Sequence, residues 1–121
     1  MIVLKRIIIL CLAILLITAC IMHSNFIYGA VDELTLLTDN IKRMPDINNI
    51  VALKDVWKKY EPAFYCTFEH ELLQDISVKI TALPSLLNNE ECGNFEAALA
   101  EIRYDIINLA EIQRINFGNI L

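Results

Sequence analysis

With 121 residues, 56% of them hydrophobic, and only three Gly and three Pro, the chain is neither disordered nor fibrous, and it has enough apolar side chains for one modest core. Residues 31–121 carry eight Lys and Arg against all fifteen Asp and Glu. Such a surface repels nucleic acid and anionic headgroups, so no nucleic-acid partner is expected.

The first predicted element is Ile7–Met22 (IIILCLAILLITACIM), which contains no charge, Gly or Pro. As a helix it rises about 24 Å against a hydrocarbon core of roughly 30 Å. Spanning a bilayer therefore calls for extension through Ser24–Ala30, where Phe26, Ile27 and Tyr28 reach the far interface. Membrane lipid is the expected partner of residues 7–28. Lys5 and Arg6 precede the run, and Asp32, Glu33 and Asp39 follow it. The positive-inside bias then predicts a cytoplasmic N-terminus with the remainder outside. The expected division is an anchor or signal over residues 1–30 and an extracytoplasmic domain over 31–121.

Two other fates of this segment have sequence cues. Ile17-Thr18-Ala19-Cys20 resembles the bacterial lipobox, in which the cysteine is acylated before cleavage, although Ile21 and Met22 are unusual residues after such a site. Ile27-Tyr28-Gly29-Ala30 offers only a mediocre site for ordinary signal cleavage. The poor flanks of both sites favour a retained, single-pass signal-anchor in the cell membrane.

Beyond the run, every apolar pattern is helical. Leu34, Leu37, Ile41 and Met44 form a stripe that continues the first helix until Pro45, after which Asp46 and Asn48 are suitable N-cap residues. A second helix is expected over about 49–60, with Ile50, Leu53, Trp57 and Tyr60 inward and Pro62 ending or kinking it. A third is expected over about 63–83, with Phe64, Phe68, Leu72, Ile76, Ile80 and Leu83 on one face and Glu69, Glu71, Asp75 and Lys79 opposite, before Pro84 bends or ends it. Residues 88–94 (NNEECGN) read as a turn. Asn94 is positioned to cap a last helix over about 95–116, whose Leu99, Ile102, Ile106 and Leu109 stripe is broadened by Ala98, Ala110 and Ile112. The fold class is all-α: an N-terminal membrane helix followed by a small antiparallel helical bundle built of hairpins.

Cys11 and Cys20 lie within the apolar run as small apolar side chains. Cys66 and Cys92 fall near opposite ends of one predicted helix, well beyond the ~5.5 Å Cα spacing of a disulfide. They are expected to be free thiols or to pair only between molecules.

The combination of an anchored start, Trp57 with Tyr60, Pro62 and Phe64, then His70-Glu71, Ile76 and Leu83, then Ala97-Ala98-Leu99-Ala100-Glu101-Ile102, and a terminal Asn119-Ile120-Leu121 resembles the bacterial domain-of-unknown-function family 4363. The resemblance runs from about Asp32 to Leu121; Cys66, Cys92 and Pro84 are not part of it. It implies a small, helical, single-anchor protein of endospore-forming and related bacteria, and it implies no activity.

Glu69-His70-Glu71 is the one cluster that invites metal or acid–base chemistry. Neighbouring helical residues diverge by about 100°, and the His-Glu-x-x-His zinc spacing fails because residue 74 is Gln. His23, at the membrane boundary, is poorly placed to help. Cys66 lies four residues before His70, on the same face of the predicted third helix, which is the spacing of a thiol and its base. No isolated Gly here makes a phosphate loop. Trp57, Phe64 and Phe68 are candidates for lining a ligand groove, but at helical spacing they read as core. No catalytic, cofactor or metal residue is therefore assigned. The expected function is a membrane-tethered protein-interaction or structural module at the cell envelope, with a protein partner of unknown identity and no enzymatic activity. The alternative is an extracytoplasmic enzyme or metal-dependent sensor using His70 with Cys66 or Glu71.

Overall fold

The computed structural model describes residues 1–88 and 92–120, with side chains at all of these except 92 and 117–120. Four helices follow in order: α1 (Ile2–Arg43), α2 (Ile47–Tyr65), α3 (His70–Leu87) and α4 (Cys92–Ile120). There is no strand among the described residues, as the sequence predicts.

Each helix buries residues at alternating steps of three and four. On α1 these are Ser24, Ile27, Val31, Leu34, Thr38 and Ile41; on α2 Ile50, Leu53, Trp57, Tyr60 and Phe64; on α3 Leu73, Ile76, Ile80 and Leu83; on α4 Phe95, Leu99, Ile102, Ile106, Leu109 and Gln113. That 3.5-residue repeat keeps a seam facing its neighbours along the whole helix and gives knobs-into-holes packing. Accordingly α1 packs on α2 and α4, and α3 packs on the same two, while among the described residues the diagonal helices do not approach closely along their backbones. The result is a square up-and-down bundle with one continuous core. The α4 stripe meets two neighbours, as its breadth predicts.

Three boundaries differ from those the periodicity predicts. Helix α2 runs through Pro62 to Tyr65, and the break falls at Cys66–Glu69. Proline removes only its own N–H and crowds one carbonyl, and Pro62 is on an exposed face where both losses are tolerated. The turn itself is made by 3₁₀-like bonds from Cys66 N to Ala63 O (3.3 Å) and Thr67 N to Phe64 O (2.9 Å), followed by extended backbone at Glu69. Phe64 thus lies in the last turn of α2 and Phe68 sits in the turn that follows. Helix α3 takes its phase from Leu73, which is buried, while Leu72 is half-buried. Helix α3 also passes through Pro84, and α4 begins at Cys92, so Asn94 lies in its first turn instead of capping it.

Of the turn predicted over 88–94, residue 88 is in a turn after α3 and residues 92–94 are already helical in α4, so the turn is shorter than predicted; residues 89–91 lie outside the described ones, as does the end of the Asn119-Ile120-Leu121 motif. Cys66 is a free thiol at the C-cap of α2. Cys92 opens α4, so the two cysteines belong to different helices; the side chain at 92 lies outside the described residues.

The bundle begins at Ser24. Ser24, Ile27 and Ala30 are buried against it, inside the stretch whose sequence predicts an extension of the membrane span. The apolar character of Ile27 and Ala30 serves the bundle seam. Pro45 breaks the chain as predicted, and the Asp46 side chain accepts from Asn48 N (3.3 Å) to cap α2.

Candidate functional site

The groups that the sequence singles out for chemistry are separated by the α2–α3 turn. Cys66 closes α2, Glu69 is the N-cap of α3, and His70 and Glu71 open it, so Cys66 and His70 do not share a helix face. All four are exposed. The His70 ring lies edge-on to Tyr65, with centroids 4.7 Å apart. Among the described residues no hydrogen bond or ion pair joins Cys66, His70 and Glu71, and no three His, Cys, Asp or Glu side chains group to hold a metal ion. Glu71 sits in the first turn of α3, where a carboxylate favours the helix dipole.

His23 has a partner the sequence does not suggest. Its Nε2 is 2.8 Å from Thr67 Oγ1, which in turn lies 3.2 Å from Ala63 O. When the Thr67 hydroxyl donates to that carbonyl, the histidine nitrogen must donate to the hydroxyl. This relay ties the α2–α3 turn to α1.

Polar contacts elsewhere serve register. Each of the four helix seams has at least one polar cross-helix tie among the described residues. Between α1 and α2, the Tyr60 hydroxyl donates to Glu33, and this holds the phenol proton above its ordinary range, with burial and the carboxylate charge adding to the effect. Between α2 and α3, Trp57 Nε1 donates to Ser77 Oγ (2.7 Å), which donates to Glu61 Oε1 (3.0 Å). Between α3 and α4, Lys79 Nζ meets Asp105 and Glu101 at 2.8 Å each, and Asp75 on its own helix at 3.0 Å. The Asp105 and Glu101 bonds, with the smaller contribution of Asp75, push the ammonium above its usual value against the opposing effect of partial burial. Between α4 and α1, Arg103 Nε donates to Asp39 Oδ1 at 2.9 Å. A one-residue slip along any seam would break its tie, so these groups specify alignment of an otherwise apolar interface. The signal for Lys79 is in the sequence: it is the sole Lys or Arg of α3, with Asp75 one turn before it and Glu101 and Asp105 one turn apart on α4.

Trp57, Phe64 and Phe68 are buried and form a chain of ring contacts, with Trp57–Phe64 centroids 5.5 Å apart and Phe64–Phe68 5.8 Å apart. They belong to the core. A groove of about 560 Å³ does open at the other end of the bundle, between the ends of α1 and α3 and the start of α4, lined by Thr38, Leu86, Phe95 and Leu99 with Lys42 and Arg103.

The largest surface feature is α1 itself. From Ile2 to Met22 its large apolar side chains are exposed, including Leu10 (60%), Leu16 (67%) and Met22 (68%). By length and composition α1 can cross a membrane: its most apolar 18-residue window has mean hydropathy 2.7 and is 6% buried. A buried core helix would have that window covered, whereas a membrane anchor or a signal sequence would not.

Fold and surface together define a class, a four-helix bundle whose first helix continues outward as an apolar rod. The chain belongs to the family described as Domain of unknown function (DUF4363), whose model matches residues 46–120. The match starts at the N-cap of α2 and covers α2, α3 and α4, a shorter stretch than the resemblance from Asp32 implies. No curated protein and no solved structure matches the chain.

Proposed function

We propose that the protein is a membrane-tethered structural or protein-interaction module of the bacterial cell envelope, held by α1 as a retained single-pass anchor, with Lys5 and Arg6 inside and the bundle outside. The observation that carries this reading is the abrupt change along one helix: bare apolar side chains through Met22, and bundle packing from Ser24 onward. The orientation rests on the basic pair before the run and the acidic residues after it. The polar groups paired across helix seams serve helix register, which favours a surface that binds over a pocket that reacts.

A partner would meet the acidic outer faces through a basic surface, and salt would weaken that contact. Glu101 and Asp105 are committed to Lys79, so charge reversal belongs instead at exposed Asp32, Asp55 and Glu96.

The test uses Asn48→Cys at the start of α2, with the four native cysteines replaced by Ala, in intact cells treated with a membrane-impermeant maleimide. Labelling before lysis, in a protein that stays in the membrane fraction at its full mass, is the expected result. Labelling only after lysis contradicts the orientation. Cleavage before Cys20 would be examined separately in the chain with native cysteines; a mature mass with added acyl groups would make the protein a lipoprotein.

A further inference from the structure

We propose that the α1-proximal end of the bundle, formed by Phe26, Tyr28, Tyr65 and the Cys66–Glu69 turn, docks on the zwitterionic headgroup layer of the bilayer that α1 crosses. This rests on the anchoring proposed above and adds to it a surface, a partner and a depth.

The first ground is the lack of any linker. Helix α1 is unbroken from Ile2 to Arg43, and Gly29, within it, has no positive φ. Met22 is the last residue of the apolar run and Ser24 is already buried in the bundle. A single residue, His23, separates them. A flexible stalk would let the bundle stand away from the membrane, but here its height above the span is set by helix geometry.

The second ground is the His23–Thr67 contact at 2.8 Å. It places the α2–α3 turn level with His23, within about one 5.4 Å helical turn of the end of the apolar run. The interfacial zone on each side of a bilayer is about 5–8 Å deep. The turn therefore falls inside that zone. The short span reinforces this, because an apolar run of about 24 Å facing a core of roughly 30 Å draws its flanking residues toward the hydrocarbon or thins the bilayer locally.

The third ground is the chemistry of that end. Phe26 is 47% exposed with its ring edge-on to Tyr60, and Tyr28 and Tyr65 are half-buried, each combining an apolar ring with a hydroxyl. Aromatic residues of this kind are enriched at headgroup level. Glu69 and Glu71 are exposed at this end, and Arg114 is paired with Glu111 on its own helix at 2.8 Å. The remaining carboxylates match the headgroup amines of a zwitterionic lipid and are repelled by anionic ones.

The experiment places the full chain in phosphatidylcholine vesicles containing a lipid with a nitroxide on its headgroup. One sample carries a fluorescent label on native Cys66, with Cys11, Cys20 and Cys92 replaced by Ser. A second lacks all native cysteines and is labelled at Asn48→Cys, at the opposite end of α2 and about 27 Å along it. Flotation with the vesicles is measured first, and Trp57 emission checks that the bundle is folded. The expected result is co-flotation, with most of the fluorescence lost at Cys66 and essentially none at position 48. Co-flotation with neither label quenched overturns the docking and leaves the anchor intact. Equal quenching of both overturns it as well, since the bundle would then lie along the surface. Failure to float at all removes the anchoring reading and the docking with it.

Discussion

Ile27→Ala distinguishes a residue of the membrane span from a residue of the bundle. Ile27 is fully buried in the seam of α1, and replacing a buried isoleucine by alanine costs about 2–5 kcal/mol from lost transfer free energy and the cavity left behind. Alanine's better helix propensity returns only about 0.5 kcal/mol. A domain of roughly 100 residues has about 5–15 kcal/mol of stability in total, and each kcal/mol shifts its midpoint by about 4–8 °C. The melting temperature should therefore fall by roughly 6–36 °C. The assay is thermal unfolding of the full chain in detergent micelles, followed through Trp57, the single tryptophan, which is buried and bonded to Ser77. The matched control is Ile14→Ala, since Ile14 is 56% exposed on the apolar rod; it should change bundle stability by no more than about 0.5 kcal/mol. Equal midpoints for the two variants would refute the assignment of Ile27 to the bundle.

Three further outcomes follow from the packing and the seam ties. Ile106, fully buried on the side of α4 that meets both neighbours, should cost about 2–5 kcal/mol when replaced by Ala, read as a lower urea midpoint at unchanged slope. Lys79→Met leaves Asp75, Glu101 and Asp105 facing one another and should cost about 1–3 kcal/mol; part of that loss should be recovered in high salt, which screens the repulsion. Because the Tyr60 phenol is held protonated beyond its ordinary range by Glu33, its stabilisation is complete below the ordinary tyrosine value and disappears as pH rises through the raised one. Tyr60→Phe should lower stability at neutral pH and flatten this part of the alkaline decline, as measured by denaturant midpoints across the pH range.

The helical character of the chain was legible because each helix repeats apolar residues at steps of three and four, and the α4 stripe from Leu99 to Leu109 is continuous enough to be read directly. The α2–α3 break was not legible. It falls in Cys66-Thr67-Phe68-Glu69, which holds no Gly, Pro or Asn, while Pro62 and Pro84 stand nearby within intact helices. There the core decides: the turn buries Phe64 and Phe68 together, and it bonds Thr67 to His23, which is far away in sequence. The misplaced break also put Cys66 and His70 on one predicted face, and relocating it separates them. Ser24 and Thr38 hid the start and middle of the α1 seam because polar residues occupy those two positions. The pairing of Lys79 with α4 required knowing which helices are neighbours, although the complementary charges stand in the sequence.

One unbroken helix is both the apolar rod and a wall of the bundle. Pulsed electron–electron distance measurement between spin labels on Cys11 and Leu36→Cys, both exposed on α1, tests it in the full chain in lipid vesicles with the other cysteines replaced by Ser. A continuous helix gives a single narrow distribution centred near ~38 Å, the rise of about 25 helical residues. A broad distribution at shorter distances would mean a hinge between rod and bundle and would contradict it.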